Sequence, residues 1–414
     1  MAKIAIAGCG IGGLAAAIFL HQQGHEICLF ERFEKPSPLG SGLLLQPTGQ
    51  AVLARLGLLD VVKSHGARID RLYGSEVTNG ATIFDLGYDQ LGPDRFGIGV
   101  HRASLFHALW QKTGELGIEV KVNTHVVSRV WEGGKSLLMT EAGTQFGPFD
   151  LVVDASGSHS DLALNLGAPT PKPFQYGAVW ASPINASGIS DTLTQRYVSA
   201  HTMIGLLPIG TMPNDPHPRV AFFWSLKPEA YPIWVDEFEG WKQRVVALWP
   251  QTEAIVAQFS KPSDLTLARY GQRTLKRPFA PGVVHIGDAA HQTSPQLGQG
   301  ANSALLDAAI LADSLTLTGP EDVGPQYAKA RRGPIRFYQA ASWLLTPFFQ
   351  SDVNFLAALR DALFQRLASI PYFRTEMAKT FGGVKTGLLT SAAPENLAHV
   401  KSKDQIKLPS SSHR

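Results

Sequence analysis

The first 31 residues carry the pattern that most constrains the fold of this chain. A short apolar run with β-branched residues leads into a glycine-rich turn, a segment rich in Ala and Leu, a second apolar run and an acid. In chain order these parts are 3–7, 8–13, 14–23, 26–30 and Glu31. This order predicts a strand, a tight turn, a helix and a second parallel strand, the unit that opens a doubly wound α/β sheet.

The glycines of the turn meet different physical requirements. Gly8 permits a sharp turn out of the strand, and Gly10 lets a pyrophosphate approach the backbone closely. Gly13 lets the helix pack on the strand, and the helix N-terminus offers free N–H groups to a phosphate. Glu31 stands eighteen residues after Gly13, close to the spacing of about 20 expected for a carboxylate that binds a ribose hydroxyl. The pattern therefore predicts a dinucleotide site.

The composition is that of a globular protein with a large core, since 44% of the 414 residues are hydrophobic and 17% are charged. The formal net charge is only +3 and no basic tract is long, which argues against nucleic acid as a partner. No apolar run reaches the roughly 18 residues of a membrane span. Two cysteines and the lack of a signal peptide suit a reducing compartment. We therefore expect a cytoplasmic protein of two or three structural units.

A second motif stands far along the chain. It consists of Gly287-Asp288-Ala289-Ala290-His291, then Pro295, then Gly298-Gln299-Gly300-Ala301-Asn302. Together with the N-terminal motif, and in this order, it resembles the FAD-binding signature of the para-hydroxybenzoate hydroxylase family of flavin monooxygenases. The sequence contains a single G-x-G-x-x-G, which argues against flavoenzymes that carry a second dinucleotide fold.

The resemblance implies an α/β fold with a Rossmann-like FAD-binding domain, an inserted and mostly antiparallel β-sheet substrate domain, and C-terminal helices. We expect the FAD-binding domain at 1–165 and 276–330, with part of the substrate region inserted near 70–100. The substrate-binding sheet is expected at 166–275, where β-type and aromatic runs alternate with proline and glycine breaks. A helical region is expected at 331–390 and a polar, frayed tail at 391–414. Within the first domain, leucines on one face predict a helix over 49–59.

The resemblance also implies which residues contact FAD. Gly42 would lie beside the flavin ring, Arg102 would contact the phosphate or ribose region, and backbone near Val126 would lie against the adenine. Asp288 can accept a hydrogen bond from a ribityl or ribose hydroxyl. Arg102 could instead be a surface arginine in the first turn of a helix. The expected contacts are Gly8, Gly10, Gly12, Gly13, Glu31, Arg32, Gly42, Arg102, Val126, Asp288, Pro295, Gly298, Gly300, Ala301 and Asn302.

One segment departs from the family pattern. The run Asp154-Ala155-Ser156-Gly157-Ser158-His159-Ser160 aligns with a strand end followed by Asp-Gly-x-x-Ser, but Ser156 replaces the acid. Ala163 stands where many members of the family have arginine. Because that motif is associated with both flavin and NAD(P)H handling, the mode of nicotinamide reduction stays open.

The substrate pocket carries weaker motifs than the cofactor site. Trp180, Phe222 and Trp224 are candidate lining residues in the predicted sheet, and Pro295 joins them from the flavin side. Each aromatic residue could instead belong to the core, because the alternation along a strand does not tell which face is covered. No paired carboxylates or nucleophile–base motif stands near the flavin signatures, so no catalytic residue is assigned, and no metal site is expected.

The function implied by the resemblance is that of a single-component FAD-dependent monooxygenase. NAD(P)H would bind transiently and reduce FAD, and O2 would form a flavin C4a-hydroperoxide that hydroxylates or epoxidises an aromatic or electron-rich small molecule. The alternative, motivated by Ser156 and Ala163, is an FAD-dependent oxidase or reductase of the same fold. The expected partners are a small aromatic substrate and O2, and the expected state is a monomer or homodimer.

Overall fold

The computed structural model describes residues 1–35, 40–368 and 370–400, so that 401–414 of the predicted tail lie outside the described residues. The strands are β1 Lys3–Ala7, β2 Glu26–Phe30, β3 Gly42–Leu45, β4 Ala67–Ile69, β5 Arg71–Glu76, β6 Thr82–Gly87, β7 Gly97–His101, β8 Glu119–Lys121, β9 Val126–Glu132, β10 Lys135–Thr140, β11 Gln145–Phe149, β12 Leu151–Asp154, β13 Lys172–Pro173, β14 Gly177–Ala181, β15 Thr192–Val198, β16 Thr202–Met212, β17 Asp215–Leu226, β18 Thr266–Ala268, β19 Gly271–Gln272, β20 Phe279–Ala280 and β21 Val283–His285. The helices are α1 Ile11–Gln22, α2 Pro47–Arg55, α3 Leu59–His65, α4 Arg102–Glu115, α5 Asp161–Asn165, α6 Tyr231–Asp236, α7 Phe238–Leu248, α8 Glu253–Val256, α9 Asp288–His291, α10 Gly300–Phe349, α11 Asn354–Ala368, α12 Pro371–Phe381 and α13 Pro394–Leu397.

A six-stranded sheet of order β20-β21-β12-β1-β2-β8 contains both sequence motifs at its strand ends. Neighbouring strands run parallel, except for β20 and β21. β1, β2 and β12 are almost wholly buried, which explains their continuous apolar sequences. The turn after β1 and Glu31 after β2 therefore meet at neighbouring carboxyl ends, where doubly wound folds bind their ligands.

A seven-stranded sheet of order β18-β14-β17-β16-β15-β5-β6 forms the second layer. Its pairs are antiparallel apart from β15 and β5. Strands β5 and β6 come from 71–87, whereas the other five strands come from 177–268. Helices α6, α7 and α8 cover one face around the fully buried Trp241. The predicted fold class, a Rossmann-like sheet with an inserted and mostly antiparallel sheet and C-terminal helices, is confirmed.

The helices differ from the sequence prediction in two places. The helix predicted over 49–59 ends earlier, as α2, and a second helix, α3, begins at Leu59 after Gly57, whose positive φ of 70° breaks the helix. The first part of the predicted frayed tail is folded, since α13 packs on α2 and the carbonyl of Ala398 accepts a hydrogen bond from Arg55.

The long helix α10 is interrupted at Gly319, whose φ is 75°. Within the described ranges, no helix is both long and apolar enough to cross a membrane.

Gly13 allows a direct test of how the turn packs. A β-carbon at position 13 would overlap the carbonyl oxygen of Gly8, whereas a β-carbon at position 10 would meet no atom within 4 Å. We expect Gly13→Ala to lower the free energy of unfolding by about 1–3 kcal/mol, because the backbone must shift. Gly10→Ala is the matched control and should keep the wild-type midpoint in urea. Equal midpoints for the two variants would contradict this account of the turn.

Candidate cofactor site

A cleft of about 540 Å³ opens at the carboxyl ends of the parallel strands. The glycine turn, the segment after β12, and the first residues of α4 and α10 form its walls. The predicted contacts that line it are Gly8, Gly10, Gly12, Glu31, Arg32, Arg102, Val126, Asp288, Gly300 and Ala301. Lining residues that sequence reasoning did not assign as contacts include Phe106, Thr124, His125 and Ala304. The two motifs, which are distant in the chain, therefore meet in one cleft.

The glycine turn has the space and the donors that a diphosphate requires. Position 10 faces open space. Helix α1 begins at Ile11 without a side-chain cap, so its first N–H groups remain available to an anion. Gly8 has a φ of 103° and lies directly against the backbone of Ala155, so a side chain at this position would be both strained and obstructed. These features fit the pyrophosphate of FAD.

The Glu31 carboxylate is oriented by the backbone of neighbouring residues. Its Oε2 accepts a hydrogen bond from the Cys9 N–H at 2.9 Å, and its Oε1 accepts one from the Phe33 N–H at 3.1 Å. The side chain is buried apart from the edge that it presents to the cleft. Each carboxylate oxygen keeps lone pairs that these bonds do not use. Glu31 can therefore accept hydrogen bonds from ribose hydroxyls without changing its orientation.

Arg102 and Asp288 place opposite charges in the cleft. Both side chains are exposed to the cleft while protein surrounds them on the other sides. Burial lowers the pKa of the Arg102 guanidinium, and Asp288 opposes that shift. Burial likewise raises the pKa of the Asp288 carboxyl above its ordinary value, and nearby cations, Arg102 among them, oppose the rise. Arg102 thus lies in the first turn of α4 and lines the cleft together with Asp288, and its contact with FAD stays a prediction.

A buried network behind the cleft fixes the position of Asp288. Asp307 is fully buried and accepts hydrogen bonds from the Gly287 N–H at 2.8 Å, from His291 Nε2 at 2.5 Å and from Arg331 Nε at 2.6 Å. Burial would raise the pKa of the Asp307 carboxyl, but His291 and Arg331 hold it well below its usual range. Among the described residues no group of three His, Cys, Asp or Glu could hold a metal ion, so we interpret this network as structural.

Three residues of the second motif do not line the cleft. Asn302 is fully buried: its Oδ1 accepts a hydrogen bond from the Gln46 N–H at 2.8 Å, and its Nδ2 donates to the carbonyls of Leu44 and Gly298. Gly298 has a φ of 62°, and Pro295 begins the short 3-10 turn that precedes it. Asn302 therefore connects the end of β3 to this loop, and its side chain holds the loop in place without lining the cleft.

Two of the glycines predicted to contact the cofactor pack closely against protein atoms. A β-carbon on Gly42 would overlap Ile209 and would lie 3.0 Å from the β-carbon of Ala221, because β3 lies directly against the seven-stranded sheet. Gly13 packs on the carbonyl of Gly8, which allows α1 to approach β1 closely. Neither residue lines the cleft. Local sequence could not show this for Gly42, since its neighbours come from strands more than 160 residues away.

The predicted substrate aromatics lie on opposite faces of the seven-stranded sheet. Phe222 and Trp224 pack against Trp241 under the covering helices, with ring centroids 6.1 and 6.0 Å away. This position corrects their assignment as substrate-lining residues, because that face is closed by core. Trp180 lies on the other face, 4.8 Å from Phe223 and beside the strands that pack on β3. Its Nε1 donates a hydrogen bond to the Tyr270 hydroxyl at 2.6 Å.

Comparisons with known proteins agree with this geometry. A sequence model of the family described as "FAD binding domain" matches residues 1–329. The chain is 25% identical over 342 residues to 6-hydroxynicotinate 3-monooxygenase of Bordetella bronchiseptica, covering 77% of this chain and 84% of the relative. It is 26% identical over 320 residues to the FAD-dependent urate hydroxylase of Klebsiella pneumoniae, covering 75% and 80%.

Solved structures show the same fold. Klebsiella pneumoniae HpxO complexed with FAD and uric acid superposes with a TM-score of 0.77 at 21% identity, covering 92% of this chain and 97% of that chain. A 2-methyl-3-hydroxypyridine-5-carboxylic acid oxygenase superposes with a TM-score of 0.74 at 20% identity, covering 91% and 96%. The chain therefore belongs to the FAD binding domain family and, within it, to the FAD-dependent monooxygenases.

Proposed function

We propose that this monooxygenase inserts one oxygen atom of O2 into a small aromatic or heteroaromatic compound, with NAD(P)H as the electron donor. The relatives named above are a 6-hydroxynicotinate monooxygenase and a urate hydroxylase, and a third, at 26% identity over 341 residues, is the 3-amino-4-hydroxybenzoate 2-monooxygenase of Streptomyces cremeus. These names share a small, flat ring bearing polar groups. The observation that carries the proposal is the convergence of the glycine turn, Glu31, Arg102 and Asp288 on one cleft.

The residues of this cleft divide the binding of FAD among them. The N-terminus of α1 and the glycine turn would take the pyrophosphate, Glu31 a ribose, and Asp288 a ribityl or ribose hydroxyl. When bound, FAD supplies the redox chemistry, accepting electrons from NAD(P)H and passing them to O2. The residues of the cleft bind and orient FAD and exclude water from the site.

The face of the seven-stranded sheet that bears Trp180 is the proposed substrate wall. Trp180 is partly buried there and lies 4.8 Å from the buried ring of Phe223, so its own ring is the aromatic surface that we propose for a flat substrate. Burial raises the pKa of the Tyr270 hydroxyl, while the hydrogen bond from Trp180 opposes the rise, so this hydroxyl stays protonated at neutral pH. Since it accepts from Trp180 Nε1, its own proton is directed elsewhere and can be donated to a polar group of the substrate.

The reaction class is tested by measuring NADH and NADPH oxidation with and without 6-hydroxynicotinate, urate and simple phenols. We expect an aromatic substrate to accelerate NAD(P)H oxidation. When the reaction is run under 18O2, the product should carry one labelled oxygen. Turnover of another substrate, with no labelled product from any aromatic compound, would favour the FAD-dependent oxidase or reductase alternative.

The role of Asp288 predicts a loss of FAD affinity on substitution. Asp288→Ala removes a charge-assisted hydrogen bond, which is worth about 1.5–3 kcal/mol or roughly tenfold to a hundredfold in affinity. The measurement is the FAD dissociation constant of the full-length protein by fluorescence titration. Asp60→Ala, which removes an exposed carboxylate at the start of α3, is the control and should bind FAD as the wild type does. Wild-type affinity in Asp288→Ala would refute the assignment.

Tyr270 is predicted to act in substrate binding. Tyr270→Phe removes the hydroxyl while keeping the ring, and we expect the KM for the aromatic substrate to rise roughly threefold to tenfold, as for one hydrogen bond. FAD affinity should not change. Phe222→Leu, on the closed face, should instead lower thermal stability and leave KM unchanged. The proposed wall is wrong if Tyr270→Phe leaves KM at the wild-type value, or if Phe222→Leu shifts it equally.

Gly298 is predicted to control how much reduced nicotinamide yields product. A valine there would be forced into the left-handed region, at a cost of roughly 1–2 kcal/mol, and would disturb the carbonyl that Asn302 holds. We expect Gly298→Val to form less product per NAD(P)H and more hydrogen peroxide, because the reacting site is no longer dry and shaped. The ratio is measured at matched FAD occupancy. An unchanged ratio would exclude this role for the loop.

A further inference from the structure

The segment after β12 lacks the acid that the resembling family carries at the position of Ser156, yet a carboxylate reaches the same segment from another residue. Asp154, the last residue of β12, is fully buried. Its Oδ1 accepts hydrogen bonds from the Ser156 N–H at 3.1 Å and from the Ser156 hydroxyl at 2.5 Å. Its Oδ2 accepts one from the Ser160 hydroxyl at 2.6 Å. The carboxylate therefore ties together both ends of the segment.

His285 completes this arrangement from the neighbouring strand. It ends β21 directly beside Asp154 in the parallel register, and its Nδ1 lies 2.7 Å from Asp154 Oδ2. Burial would raise the pKa of the Asp154 carboxyl, but hydrogen bonds from His285, Ser156 and Ser160 lower it below the ordinary value. Asp154 is therefore charged at neutral pH, and each of its four hydrogen bonds is made to the charged form.

The segment that Asp154 holds is a wall of the FAD cleft. Ser156, Gly157, Ser158 and His159 all line it, whereas Asp154 itself does not. The same segment lies against the glycine turn, because a β-carbon on Gly8 would stand only 2.6 Å from the Ala155 carbonyl oxygen. A shift of 155–159 would therefore change the width of the cleft at the turn that receives the pyrophosphate.

We propose that Asp154, paired with His285, is the positioning residue of this wall and replaces the family's acid at 156 from two residues upstream. The relocation draws the negative charge into the sheet and leaves an uncharged serine facing the phosphates of FAD. Sequence comparison alone suggests that the motif has lost its acid. In the structure a buried carboxylate two residues upstream holds the same segment, with a histidine partner that the neighbouring strand provides.

The experiment compares FAD affinity in full-length variants, without substrate, NAD(P)H or turnover, so its outcome is independent of the proposed substrate class. Asp154→Gly should raise the FAD dissociation constant at least tenfold. The double variant Asp154→Gly/Ser156→Asp returns the acid to the family's position and should restore affinity to within threefold of the wild type. Asp150→Asn, just before the opposite end of β12, is the control and should leave the constant unchanged.

Ser160→Ala provides a second test that does not depend on Asp154→Gly folding, because it removes one hydrogen bond to Asp154 and keeps the carboxylate. Ser160 is buried and does not line the cleft, so any effect on FAD must pass through the segment. We expect about a threefold weaker FAD complex and faster amide hydrogen exchange at 156–159 than in the wild type. Unchanged affinity in Asp154→Gly or in Ser160→Ala would overturn the proposal. So would a double variant that folds and binds FAD no better than a folded Asp154→Gly.

Discussion

The buried Asp307 carboxylate joins the elements on which the cofactor site depends. Its three partners come from the turn before α9, from the end of α9 and from the distal part of α10. A buried, charged carboxylate is stable only when such partners are in place. The loss of one partner typically lowers the free energy of unfolding by about 3–5 kcal/mol. The position of Asp288 in the cleft thus depends on Asp307 in the first part of α10 and on Arg331 beyond the interruption at Gly319. The helix is a structural part of the site, although its distal part lies outside the cleft.

A second constraint is the close approach of the two sheets. Gly42 lies against Ile209 and Ala221, and any larger residue would separate β3 from the seven-stranded sheet. Asn302 then connects the end of β3 to the loop at Gly298. The distance between the proposed substrate wall and the loop at Gly298 therefore depends on one glycine and one amide, neither of which lines the cleft itself.

The sequence predicts well what is encoded locally. The order of strand, turn, helix and acid in the first 31 residues fixes the βαβ unit, and the lining of the cleft by Gly10, Glu31 and Asp288 follows from that pattern and from the second motif. It predicts less well what depends on tertiary approach. Alternation along β17 separates Phe222 from Phe223 but does not tell which face the helices cover.

Long-range partners explain the other differences. Asn302 and Gly42 stand within matching motifs, yet their contacts lie in segments brought near by folding. Asp307 and Arg331 carry no motif of their own in the sequence reasoning, and their importance follows only from the geometry of the buried network. The role proposed for Asp154 also depends on a distant partner, because His285 lies 131 residues away in the sequence.

The exchange of strands between the two halves of the chain has a consequence for how the protein folds. The seven-stranded sheet pairs β5, which precedes residue 100, with β15, and the six-stranded sheet receives β12 and β21 after the chain has left it. Neither sheet can close until most of the chain has been synthesised. Until then β5 and β6 expose unpaired edges, the surfaces most prone to wrong pairing. Such distant pairings make folding slow, and they make each layer dependent on the other for its completion.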